Sequence, residues 1–177
     1  MDLFEAISRR HSYRGPFKDQ MIPHEDLIKI MQAGLNAPSG CNAQTTRFVI
    51  VDDPEIVSKI RALHASNEAM QQAQAYILCF IDGNPEPVYE GCNFVIEDCA
   101  AAVENMLLAV TALGYASVWV DGWVRCGGRA GKIGEMVGAP EGKTLRIVLP
   151  LGVPLQQWSP KEKKPFEQRA RFNRFPD

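Results

Sequence analysis

The sequence predicts one domain built from both helices and strands, followed by a short tail, and three observations predict it. Stretches with apolar residues at helical spacing alternate with short β-branched apolar runs, such as residues 47–52 (RFVIVD) and 76–82 (YILCFID). A chain of 177 residues with no internal repeat and no low-complexity tract suits a single core. Finally, 46% of the residues are hydrophobic and 23% charged, with 19 Lys and Arg against 21 Asp and Glu. That balance excludes disorder as the main state, and it shows no basic excess of the kind nucleic-acid binders carry.

The elements follow in order. Asp2 caps a first helix that runs through Arg9, with Leu3, Phe4 and Ile7 on one face. Pro23 suits a first helical turn, and residues 24–36 follow with Leu27, Ile28, Met31 and Leu35 at helical spacing. Pro38, Ser39 and Gly40 stop that helix, and residues 47–52 form a strand. Residues 54–63 make an amphipathic helix through Ile56, Ile60 and Leu63. The buried strand 76–82 is bounded by Gly83, Asn84 and Pro85. Residues 92–113 are the most apolar helix, ended by Gly114. So apolar a helix in so small a domain points to a subunit interface. A strand at 115–121, a helix holding Ile133, Met136 and Val137, and a last core strand at 145–151 complete the domain. From Gln156 the tail is polar and basic, yet Trp158, Phe166, Phe172 and Phe175 predict that it packs on something.

Location is read from what the chain does not carry. The N-terminus has Asp2 and Glu5 and no basic region before a long apolar stretch, unlike a signal peptide. The longest apolar candidate, 95–113, is interrupted by Glu97, Asp98, Glu104 and Asn105, so no membrane span is expected. Five cysteines form no CxxC pair, and His11, His24 and His64 are scattered. The expectation is a cytoplasmic protein with free thiols and no metal site.

Four segments can carry chemistry. Residues 9–14 (RRHSYR) place three guanidiniums and a hydroxyl where they can fork around a phosphate or carboxylate, although basic residues also suit a solvated helix end. Residues 37–44 (APSGCNAQ) combine a helix stop with small side chains, open to a planar ligand or simply a loop. Gly122, at the end of a strand, exposes backbone donors at a sheet edge. Residues 161–167 (KEKKPFE) read as a basic turn. The glycines at 127, 128 and 131 fit neither GxxxxGK[ST] nor GxGxxG, and there is no GxSxG or HExxH.

Taken in order, these segments resemble the FMN-dependent nitroreductase family. RRHSYR is similar to its opening basic-Ser-basic motif, and APSGCNAQ to its APS-x-x-N-x-Q motif. GYASVWVDGW resembles its Gly-rich strand ending in an acidic-Gly pair, LPLGVP its last-strand signature, and KEKKPFE the basic element that follows. The match runs from Arg9 to Glu167.

The resemblance implies a short, single-domain member over residues 1–177 with an α+β, three-layer fold: a mixed, mainly antiparallel central sheet flanked by helices. It also implies an intertwined homodimer, with residues 155–177 as an arm packing on the partner subunit and the active sites at the interface. The implied cofactor is FMN, with NADH or NADPH as co-substrate and ping-pong transfer to a nitroaromatic, a quinone or another flat acceptor. Arg10, His11 and Ser12 would meet the phosphate and ribityl chain, joined by Lys161 and Lys163. Arg14 would stand at the pyrimidine edge, where positive charge favours hydride acceptance. Asp121 and Gly122 would offer backbone groups near the flavin N5 and O4. Pro38, Ser39, Gly40, Asn42 and Gln44 would reach the flavin held mainly by the other subunit.

Two departures stand out. Gly40 replaces a commoner small polar residue, and Ala69 and Met70 occupy the region where many members carry a Lys, leaving Asn67 as the nearby candidate. The short link 83–91 replaces a helical excursion of larger members and predicts a more open pocket. No side chain is expected to act as obligate acid or base. Alternatives of other classes are a non-catalytic FMN storage or sensor module and a specialised dehalogenase-like or flavin-destroying member. A protein with no cofactor is the plain alternative.

Overall fold

Asp2 accepts the Glu5 N–H through its carboxylate and so caps α1 (Leu3–Arg9), as the sequence predicts. The computed structural model describes residues 1–64 and 66–175; Pro176 and Asp177, the end of the predicted arm, lie outside the described residues, as does Ala65. Pro23 precedes α2 (His24–Leu35), and β1 (Arg47–Val51) follows a short 3-10 turn at Gly40–Asn42. Asp53 caps α3 (Pro54–Ala62) by accepting the N–H groups of Glu55 and Ile56, and a short α4 (Glu68–Gln72) leads into β2 (Ala75–Asp82). Then come α5 (Val95–Ala112), α6 (Gly122–Arg125), α7 (Arg129–Met136), β3 (Lys143–Leu151) and α8 (Phe166–Arg169).

The strands form an antiparallel sheet in the order β1-β2-β3. Alternation along β2 divides the core into two layers. Tyr76, Leu78 and Phe80 face Val57, Ile60, Met70 and Ile133 of α3, α4 and α7. Ala75, Ile77, Cys79 and Ile81 face Leu27, Ile30, Val103 and Met106 of α2 and α5. Helices therefore cover both faces, the three-layer α+β arrangement expected of the sequence.

Two expectations change. The strand predicted at 115–121 is reduced to two isolated antiparallel bridges, Val120 with Val148 of β3 and Ala116 with Gly152 just past its end. The pair between them would set Val118 against Pro150, and proline has no N–H to give to a ladder. The second concerns α5, whose apolar surface is largely covered within this chain, since α2 packs along it, α1 crosses it and the sheet lies beneath. Apart from Ile96 near the start of α5, the exposed apolar residues include Leu3, Phe4 and Ile7 on α1, Ile28 and Leu35 on α2, and Phe166, Phe172 and Phe175 in the tail.

Candidate functional site

The basic turn is held in place by its aromatic residue. Tyr13 is 1% exposed; its N–H donates to the Ser117 carbonyl at 2.9 Å and its hydroxyl donates to the Pro16 carbonyl at 2.5 Å. The same hydroxyl accepts the Gln156 N–H at 3.4 Å, and the Trp158 ring lies 5.3 Å away. One buried phenol therefore ties residues 9–14 to the start of the tail.

Arg10 pairs with Glu104 of α5 (Nε to Oε1, 3.2 Å), while Arg14 is exposed and makes no ion pair among the described residues. His11 Nδ1 lies 2.9 Å from the Arg9 carbonyl, which can only accept, so that nitrogen carries the proton. In the neutral ring Nε2 is then a lone-pair acceptor, and it is buried without a partner. Ser117 Oγ is buried without a partner as well, and both residues line a small internal cavity of about 40 Å³ beside Arg10 and Thr111. A wider groove of about 630 Å³ opens next to it, between Arg9, His11 and Lys18 on one side and Gln156, Trp158 and Pro160 on the other.

The loop at 38–44 is strained and internally braced. Cys41, Asn42 and Gln44 have φ of 50°, 55° and 50°, in the left-handed region that non-glycine residues rarely enter. The bracing comes from Asp98, buried on α5, which accepts the Gly40 N–H at 2.8 Å, and from Ser39 Oγ, which accepts the Gln44 N–H at 3.1 Å. A Cβ on Gly40 would lie 2.2 Å from Cδ2 of Phe94. That contact is why glycine stands where the family pattern has a side chain. The loop lines a cavity of about 100 Å³ with Thr45, Thr46 and Arg47, away from the groove of the basic turn. The hydroxyls of Thr45 and Thr46 are buried there without partners.

At the end of the 115–121 segment, the Asp121 carboxylate is held from two sides. Arg125 Nε lies 2.5 Å from Oδ1 and Arg146 Nη2 of β3 lies 3.4 Å from Oδ2. Gly122 follows with open space where a Cβ would stand, so its backbone can be approached closely. Asn67 caps α4, its Oδ1 accepting the Ala69 N–H at 3.1 Å. His64 bridges this turn to the other: its Nδ1 accepts the N–H groups of Ser66 and Asn67 at 3.3 and 3.2 Å, and its ring stacks on Trp123 with centroids 4.5 Å apart. Burial, reinforced by the Arg129 charge, holds the His64 pKa below its ordinary value.

The structure thus brings His11 to a groove that it shares with Arg9 and the first residues of the tail, with Arg10 lining the small cavity beside that groove, while Ser12, next to His11 in the chain, lines neither. It gathers Pro38, Ser39, Gly40, Asn42 and Gln44 into a separate braced loop. Lys161 and Lys163 are exposed and enter no hydrogen bond or ion pair among the described residues. Tyr13, His64, Asp98, Trp123 and Arg146 escaped the sequence reading because they have partners far along the chain, and Arg125, four residues from Asp121, escaped it as well. Among the described residues no three His, Cys, Asp or Glu groups cluster as metal ligands, and no helix is long and apolar enough to cross a membrane.

The family model described as the Nitroreductase family matches residues 7–78 and 64–153. The chain belongs to the nitroreductase family. It is similar to a protein of Archaeoglobus fulgidus named "Putative NADH dehydrogenase/NAD(P)H nitroreductase", 33% identical over 97% of this chain and 94% of that one. An iodotyrosine deiodinase of Thermotoga neapolitana is 27% identical over 98% of each chain. A Desulfovibrio desulfuricans structure solved in complex with FMN superposes with a TM-score of 0.77, at 27% identity and covering 99% of each chain.

Proposed function

We propose that the chain is an FMN-dependent oxidoreductase that takes electrons from NADH or NADPH and passes them, by alternating ping-pong turnover, to a nitroaromatic, quinone or similar flat acceptor. The observation that carries this reading is the basic turn, where a buried lone pair on His11 Nε2 meets no donor beside a groove wide enough for a ligand. Such an acceptor suits a ligand that brings hydroxyls, as the ribityl chain of FMN does, and Arg10 supplies charge for its phosphate. Bound FMN would supply the hydride chemistry, and the protein supplies binding, orientation and electrostatics.

Each residue then has a physical task. Arg10, His11 and Ser12 hold the phosphate and ribityl end, with Lys161 and Lys163 closing over it from the tail. Arg14, exposed and without an anionic partner among the described residues, supplies positive charge at the pyrimidine edge. The bare backbone at Asp121 and Gly122 lets the ring system approach to hydrogen-bonding distance, and the arginine pair on the Asp121 carboxylate keeps that side chain out of the way. Asn67 stands beyond His64 on the neighbouring turn.

The braced loop at 38–44, lining a different cavity, is assigned to the flavin of a second subunit, in a homodimer whose interface takes the exposed apolar face of α1. The arm at 155–177 packs on that partner and completes a single domain over residues 1–177, working in the cytoplasm. The deiodinase relative supports one narrower reading, reductive removal of a halogen from an aromatic ring, with the same flavin site.

An anaerobic absorption spectrum tests the proposal. The reading expects an oxidised-flavin spectrum that bleaches on addition of NADH or NADPH and returns on addition of a quinone or nitroaromatic. A flavin that neither nucleotide reduces contradicts the enzyme and leaves a storage module; no flavin, even after added FMN, contradicts the whole reading. Return of the colour only with a halogenated phenol would favour dehalogenation.

A further inference from the structure

One imidazole joins two turns that lie 55 residues or more apart in the chain. His64 is 9% exposed and sits just beyond the end of α3. Because Nδ1 accepts two backbone N–H groups, the proton of the neutral ring is on Nε2, and the ring's orientation is set by the Ser66–Asn67 turn. Its face meets the Trp123 indole at an interplanar angle of 30°. Trp123 is held in turn by Arg129, whose guanidinium carbon lies 5.0 Å from the indole centroid and whose Nη1 donates to the Trp123 and Cys126 carbonyls, each at 3.1 Å. Trp123 directly follows Gly122, and Asn67 is itself one of the two N–H donors to His64.

We propose that His64 is a positioning residue that sets the spacing between the Asn67 turn and the Gly122–Trp123 turn, and through it the fit of the isoalloxazine ring between them. This rests on the flavin reading above, in which Gly122 faces the ring system and Asn67 stands on the neighbouring turn. The imidazole performs two separable tasks. As an acceptor it fixes the direction of the Ser66 and Asn67 peptides, and as a flat surface it fixes Trp123 and hence the peptide plane of Gly122. Loss of either task loosens the ring end of the site and leaves the phosphate end, held by Arg10 and His11, untouched.

The test separates those tasks and the two ends of the ligand. His64→Asn retains an acceptor near the Nδ1 position and removes the stack; His64→Phe retains the stack and removes the acceptor; Trp123→Leu removes the stack from its more exposed partner. Flavin-free protein is titrated with FMN and with riboflavin, which lacks the phosphate, and the absorption band of the bound flavin is recorded. The proposal expects each variant to lose affinity for both ligands by the same factor, about tenfold, with a shifted flavin band. It expects the double change His64→Phe with Trp123→Leu to lose more than either alone.

Variants that bind both ligands as the unchanged protein does would overturn the proposal. So would a loss confined to FMN, since that places the effect at the phosphate. If the His64 variants do not fold, Trp123→Leu decides alone by the same criteria. Failure of the unchanged protein to bind either flavin contradicts the proposal together with the cofactor reading it rests on. A normal unchanged protein with unaffected variants contradicts the positioning role only.

Discussion

The two ends of the candidate site are built in opposite ways. Around Asp121, Gly122 and the 38–44 loop, the carboxylate and the bracing backbone N–H groups are answered inside the chain, Asp121 by Arg125 and Arg146, the Gly40 N–H by Asp98 and the Asn67 N–H by His64, although the Thr45 and Thr46 hydroxyls and Arg146 Nε are buried without partners. Around the basic turn the chain leaves groups unanswered, with His11 Nε2 and Ser117 Oγ buried without partners and Arg14, Lys161 and Lys163 outside any ion pair among the described residues. The first end is preorganised, with strain held in three left-handed residues at a cost of about 1 to 3 kcal/mol each. The second end is a set of charges and acceptors that a ligand or another chain must complete. Substitutions that break the bracing at the first end should therefore act on stability as well as on the fit of the ligand, and those at the second on ligand affinity with little effect on stability.

The largest effect is expected at the braced loop. Gly40→Ala drives a Cβ into the Phe94 ring and should destabilise the fold by up to about 3 kcal/mol, seen as a lower midpoint in thermal unfolding. An unchanged midpoint would show that Phe94 moves aside freely. At the other end, Arg10→Ala should weaken FMN binding by about 2 kcal/mol, roughly thirtyfold, with little change in that midpoint. Isothermal titration checks the first part, and equal affinity would remove Arg10 from the site. Lys161→Ala and Lys163→Ala should each cost less, about 0.5 to 1 kcal/mol of FMN affinity, because exposed charges are well screened. That loss should shrink at high salt; an effect indifferent to salt would mean the lysines act through packing.

The smallest effect expected is a pH dependence at His64. Its pKa in the folded chain lies below the ordinary value near 6.5, by burial first and the Arg129 charge second. Between those two values the unfolded chain binds more protons than the folded one, so stability rises with pH through that window and is complete above it. Denaturant midpoints measured downward from neutral pH should fall through the window, and His64→Phe should flatten that part of the profile. A profile that stays unchanged in the variant would assign the slope to other groups.

How much of this was legible in the sequence differs between the same two ends. The basic turn is contiguous, so RRHSYR announces its charge and its hydroxyl without any structure. Asp2 and the apolar spacing of α2, α3 and β2 are equally local, and each of those elements lies within a few residues of its expected bounds. The preorganised end depends on pairs remote in the chain. Gly40 with Asp98 spans 58 positions, and nothing local to either residue signals the other. The strand expected at 115–121 failed for a similar reason, since the residue that interrupts its ladder, Pro150, belongs to another strand. Short helices such as α4 and α6, at five and four residues, are too brief to show a period. The apolar tail was legible as composition alone: Trp158 finds Tyr13, whereas Phe172 and Phe175 are 81% and 89% exposed, a surface left for the proposed partner.

The most direct test is whether the basic turn and the braced loop that meet at one flavin come from two chains. Arg10→Ala disables the ligand-completed end, and the pair Asn42→Ala with Gln44→Ala disables the braced loop. Mixed dimers isolated from co-expression of the two variants would hold one doubly damaged site and one intact site if the ends are contributed by different subunits. The account predicts that such dimers recover tight binding of about one FMN per dimer while neither parent does. Mixed dimers that bind no better than the parents would contradict it and place both ends in the same chain.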